Sequence, residues 1–144
     1  YYPESYKKTL FEKGKQLHVE DRLIFEGMYP WLENFKRVCR AHIGCVFYER
    51  NANNLVAIPN RLFEYMYCGL AIIAERFPEV AKVVEVSKCG ILVDSSKPAE
   101  IAEGIMNLMK EDLMILGMNG RDAVCKKYNF ENELVKLIDF YESI

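Results

Sequence analysis

No run of apolar residues in this 144-residue sequence reaches the roughly 18 that a membrane-spanning helix needs. The amino terminus also lacks the basic-then-apolar pattern of a secretory signal, so a cytoplasmic protein that meets membranes peripherally at most is expected. A dominant charge is missing too. Nineteen Lys and Arg face 21 Asp and Glu for a net charge of -2, which leaves no broad positive field for a phosphate backbone and makes nucleic acid an unexpected partner. Cysteine is sparse and unpatterned: Cys39, Cys45, Cys68, Cys89 and Cys125 show neither zinc-knuckle nor CxxC spacing and read as buried thiols of a reduced compartment. There is no GxGxxG turn, Walker phosphate loop, GxSxG elbow or cysteine-protease signature, so those nucleotide and nucleophile chemistries have no support. An initiating methionine is absent as well. The sequence opens on Tyr1 and first reaches methionine at Met28, as expected of a piece cut from a longer chain.

What is present is an ordinary globular balance, 51% apolar and 28% charged, at a length that supports one core. Residues 1–144 contain no repeat and no Gly, Ser or Pro linker, and they read as one compact domain. Residues 3–18 space Tyr6, Leu10, Phe11 and Leu17 as an amphipathic helix with lysines on its solvated face. Short runs rich in Ile, Val and Phe at 22–26 and 43–48 read as strands around a helix over 31–41. The alternation continues with a strand at 71–74, a helix opened by Pro78 and Glu79, and a strand at 91–93. Strands apolar on both faces belong in a parallel sheet covered by helices. After Asp94 three helices are expected, with Pro98 in a first turn, a break over Gly117 to Gly120 and a new start near Asn129. Trp31, Phe35 and Val38, and likewise Leu134, Leu137, Ile138 and Tyr141, recur at helical spacing as core residues. The fold class is α/β, a Rossmann-like parallel sheet of about four strands flanked by helices.

One segment carries chemistry. The loop over 49–60 is longer than the roughly 4 to 6 residues usual for such connections, and it leaves the carboxyl end of a strand, where open parallel sheets bind ligands. Asn60 reads as the cap of the next helix, with Pro59 stiffening the approach and the amides of Arg61, Leu62 and Phe63 pointing outward. Phosphate suits that end. Glu64 follows one turn later, and an ionised carboxylate accepts two hydroxyls at once, so a ribose beside a diphosphate fits better than free phosphate. His18 and His42, each near a helix end, read as structural.

The string Pro59-Asn60-Arg61-Leu62-Phe63-Glu64-Tyr65-Met66, followed by Cys68-Gly69-Leu70-Ala71-Ile72-Ile73-Ala74, resembles the donor-site segment of the retaining, two-domain GT-B glycosyltransferases of family 4. The likeness continues through Phe77-Pro78-Glu79, Cys89-Gly90-Ile91-Leu92-Val93-Asp94, Gly117-Met118-Asn119-Gly120-Arg121 and Tyr128-Asn129-Phe130-Glu131, nearly the whole chain. It implies that Glu64 holds the ribose hydroxyls of a nucleotide-sugar donor. Where many members have a second glutamate eight positions earlier, this chain has Val56, with Asn53 and Asn54 as polar substitutes nearby. Arg61 stands where members commonly have Lys and trades a point charge for a planar fork.

The resemblance also implies a six-stranded domain ordered 3-2-1-4-5-6, of which only the third to sixth strands are matched. The family's Arg and Lys pair, which neutralises the departing diphosphate, belongs to the unmatched first strand. An acceptor domain lies further upstream in the family, so transfer by the isolated chain is not expected. With no Asp-x-Asp motif, neither a metal nor another cofactor is expected. The catalytic residues are not identified. The rivals are a catalytically silent interaction module derived from this fold and a fragment of another GT-B enzyme such as a sugar-nucleotide epimerase.

Overall fold

The computed structural model describes residues 3–144. Its contacts divide the chain into two compact units, Tyr1–Asn34 and Phe35–Ile144, where one was expected. In the first, Pro3 precedes α1 (Glu4–Gln16) and its carbonyl takes the amides of Tyr6 and Lys7, as suits a residue with no amide to lose. A single 3-10 turn (Glu20–Arg22) follows. The strand expected over 22–26 is not formed: residues 23–30 have no regular structure, and Ile24 is 77% exposed. A strand needs a neighbour to take its amides and carbonyls, and none of the three strands in the sheet pairs with this segment. Its backbone stays irregular despite its apolar side chains.

Helix α2 (Trp31–Val38) straddles the boundary between the units and buries none of its residues, contrary to the core expected around Trp31. Then follow β1 (Ile43–Val46), α3 (Ala52–Val56), α4 (Asn60–Tyr67), β2 (Ala71–Glu75), α5 (Pro78–Ser87) and β3 (Gly90–Val93). The chain closes with α6 (Pro98–Leu108), α7 (Leu113–Lys126) and α8 (Phe130–Glu142). The sheet is parallel throughout, in the order β1-β2-β3, with Ile43 beside Ala71 and Ile72 beside Gly90. Among the described residues it has three strands, where about four were expected.

All five residues of the central strand β2 are buried, and they alternate between two apolar cores. On one face Ile72 and Ala74 meet Leu62 and Met66 of α4, Val80, Val83 and Val84 of α5, and Val124 of α7. On the other, Ala71 and Ile73 meet Val93 and Leu108, with Ile101 and Ile105 of α6 packed around them.

Helix α4 ends with Gly69 at φ 76°, the amide of Gly69 on the Met66 carbonyl and that of Leu70 on the Tyr65 carbonyl, a left-handed stop that turns the chain into β2. Gly117 and Gly120, expected to break a helix, lie inside α7. Their lack of a side chain permits close approach, Gly117 to the Gly69 carbonyl and Gly120 to Cys89 and Met66. The real break precedes Asp112, whose carboxylate accepts the amides of Met114 and Ile115.

Asn129 starts α8 as expected, its side chain accepting the Asn132 amide. The core expected along Leu134, Leu137, Ile138 and Tyr141 is not observed, since α8 has no buried residue. The cysteines also depart from expectation. Cys39 and Cys68 form a disulfide, Cys45 and Cys125 are exposed, and Cys89 alone is a buried thiol. The pairing follows from topology: α2 ends just before β1 and α4 just before β2, and adjacent parallel strands bring those helix ends together, Ala71 donating to the His42 carbonyl. Among the described residues no helix is long and apolar enough to cross a membrane.

Candidate functional site

The segments leaving β1, β2 and β3 at their carboxyl ends surround a cleft of about 770 Å³, lined by Tyr48, Glu49, Arg50, Glu75, Asp94 and Ser95 among others. Parallel strands and their return helices put all these exits on one edge of the sheet, so residues far apart in sequence converge there.

Glu75 ties the edge together. It ends an otherwise apolar strand and is only 3% exposed, a position a carboxylate tolerates when its oxygens are bonded. Oε1 accepts from Arg50 Nη2 at 3.1 Å and Oε2 accepts the Ser95 amide at 2.7 Å. Burial works to raise its pKa, but the hydrogen bonds from Ser95 and Arg50 outweigh burial and hold the group below the ordinary glutamate value. One carboxylate therefore pins the exits of all three strands. Beside it, Lys97 and the Ser96 hydroxyl and amide hold Asp94 well below the usual carboxylate range.

The 49–60 connection is only partly loop, because α3 lies within it. Asn51 caps that helix by accepting the Asn54 amide at 2.9 Å, and the Asn54 side chain donates to the Glu49 carbonyl at 2.8 Å. Asn54 thereby shapes the loop from within, while Asn53 is exposed. The start of α4 differs by one residue from expectation: Pro59 occupies the cap position, and Asn60, already helical, makes no capping bond. The Leu62 amide donates to the Pro59 carbonyl at 3.0 Å and the Leu62 side chain is fully buried, so Leu62 belongs to the core. Helix geometry leaves the amides of Asn60 and Arg61 without an intrahelical partner.

Arg61 is exposed and Glu64 half-buried, and among the described residues neither side chain has a hydrogen-bond or ion-pair partner. Four residues away from Asn60, Glu64 lies about one turn along the helix from those amides. Next to Glu64 in the chain, Tyr65 packs against Gly44 of β1, and burial pushes its phenol upward while the nearby Arg61 charge opposes. Val56 is 73% exposed at the end of α3.

The structure thus brings Pro59, Asn60, Arg61 and Glu64 together at the start of one helix. Sequence reasoning missed Arg50, Glu75 and Ser95. The available signal was the acid, Glu75, that closes the apolar run at 71–74.

Residues 3–111 match the family described as glycosyl transferases group 1. The chain is similar to the N-acetyl-alpha-D-glucosaminyl L-malate synthase of Bacillus anthracis, 24% identical over 138 residues, which are 94% of this chain and 33% of the relative. Its fold is similar to that of sucrose-phosphate synthase from Thermosynechococcus elongatus, with a TM-score of 0.77 and 21% identity over 96% of this chain and 34% of that one. The chain spans about a third of the length of each protein.

Proposed function

Because the chain belongs to the group 1 glycosyltransferases, we propose that it is the donor-binding part of a retaining enzyme that moves a sugar from a nucleotide-sugar to a glycan or lipid acceptor. The observation that carries the reading is the start of α4: open amides at Asn60 and Arg61 and, one turn on, the unpartnered carboxylate of Glu64. A helix amino terminus favours a diphosphate. An acceptor-only group beside it favours vicinal ribose hydroxyls. Arg61, with no acid to answer it among the described residues, adds a guanidinium fork for phosphate oxygens. Pro59 sets the approach of the chain and Asn54 shapes the loop behind it. Acceptor recognition is assigned to an upstream domain, so the chain in isolation is an inactive partner of that domain.

Val56, exposed where many members carry a second glutamate, favours the rival reading of a silent interaction module. Calorimetric titration of the full-length protein with UDP, GDP and their sugar conjugates separates the two. The donor reading expects one of these to bind, and Glu64→Ala to weaken it about tenfold, the usual order for a hydrogen bond to a charged group. The same substitution leaves the affinity for the 2′,3′-dideoxy analogue unchanged. A wild-type protein that binds no nucleotide sinks the donor reading.

A further inference from the structure

We propose that Arg50, held in place by Glu75 and the ring of Phe77, is a second cation that this chain presents, beside Arg61, to the diphosphate of its nucleotide ligand, with Glu75 as the positioning residue. The inference rests on the donor-binding reading and adds a residue that neither the sequence motif nor the resemblance identifies.

Arginine offers five N–H donors in a rigid fork, and here one of them is spent on Glu75 Oε1. The Arg50 side chain is 60% exposed, so donors remain for a ligand in the cleft. Its Cζ lies 5.4 Å from the centroid of the Phe77 ring, which supports one face of the guanidinium. A long side chain fixed at two points loses little freedom when it meets a ligand, and that is what a preorganised anion contact needs.

The neighbouring charges single out the same residue. Among the residues lining the cleft Arg50 is the one cation, and the Asp94 carboxylate there is already engaged by Lys97 and Ser96. Arg76, the next cation along, is committed to Glu100 and to the Leu92 carbonyl. Phe77, the ring beneath Arg50, also walls a small crevice with Tyr48, Asn54 and Pro59. Arg50 and the residue that caps α4 therefore flank a single ring.

Glu75 acts through Arg50. Both oxygens of its carboxylate are engaged, one by Arg50 and one by the Ser95 amide, and the residue is buried, which leaves it to orient the guanidinium and not to touch the ligand.

The test titrates the full-length protein with UDP and GDP and, in parallel, with uridine and guanosine, following thermal melting of every variant. Arg50→Ala is expected to weaken diphosphate binding about tenfold while nucleoside affinity stays unchanged, and Arg50→Lys to recover part of the loss. Glu75→Gln weakens the diphosphate too, and Glu75→Gln with Arg50→Ala costs no more than Arg50→Ala alone, a non-additivity that a general loosening of the fold does not produce. Unchanged diphosphate affinity in Arg50→Ala overturns the proposal, as does an equal loss for diphosphate and nucleoside. If wild type binds neither diphosphate, the donor reading beneath it fails first; if wild type binds and Arg50→Ala is silent, only this inference fails.

Discussion

Gly117, in the middle of α7, lies directly against the backbone carbonyl of Gly69, the left-handed residue that ends α4. A Cβ at position 117 falls far inside van der Waals contact with that oxygen, and the obstacle is backbone, not a side chain that can swing aside. Gly117→Ala gains roughly 1 kcal/mol of helix propensity, yet the overpacking cost of about 1 to 3 kcal/mol exceeds it because two helices must separate. Lower stability and a lower urea midpoint are expected. Gly120→Ala should be milder, since side-chain atoms of Cys89 and Met66, at 3.1 and 3.4 Å, are its nearest neighbours. A midpoint for Gly117→Ala at or above wild type contradicts this packing.

That contact also explains one limit of sequence reading. Glycine at 117 and 120 is a helix breaker by propensity and a packing device by tertiary context, and only the position of α4 distinguishes the two. The strands at 43, 71 and 91, the proline starts of α5 and α6 and the Asn129 cap were legible because their signals are local. The segment 22–26 has equally apolar residues but no partner strand in the sheet, and strand formation is decided by the partner. The start of α4 was legible for the same local reason, apart from a one-residue shift of the cap to Pro59 that removes the Leu62 amide from the open set. Glu75 was not, because its partners Arg50 and Ser95 lie 25 and 20 residues away in the chain.

The Cys39–Cys68 bridge closes a loop across a sequence separation of 29 residues and links the ends of α2 and α4, with Cα atoms 4.7 Å apart. Its effect falls mainly on the unfolded chain, whose freedom it restricts, and for a loop of this size the expected stabilisation is about 3.6 kcal/mol. Reduction, or joint replacement by Cys39→Ala and Cys68→Ala, should lower the urea midpoint accordingly. Thiol titration of the denatured chain should find three of the five cysteines free without reductant. Five titratable thiols and equal midpoints with and without reductant count against the bridge.

Acid should expose the brace made by Glu75. Its pKa in the folded chain lies below that of an ordinary glutamate, since the Ser95 and Arg50 hydrogen bonds outweigh the cost of burial. A lowered carboxylate pKa means that the unfolded state takes up the proton first, so the group stabilises the fold at and above its unfolded value, about 4.3, and loses that contribution as pH falls through the lowered folded value. Glu75→Gln removes the titration while keeping a side chain of the same size. Between pH 7 and 5 the variant should therefore melt below wild type by a constant margin. Below about pH 4 the margin should shrink as protonation withdraws the charge from Arg50 and the Ser95 amide. Melting curves across that range decide the matter: a margin that widens on acidification means that Glu75 is held neutral in the folded chain, and the brace across the three strand ends is then not ionic.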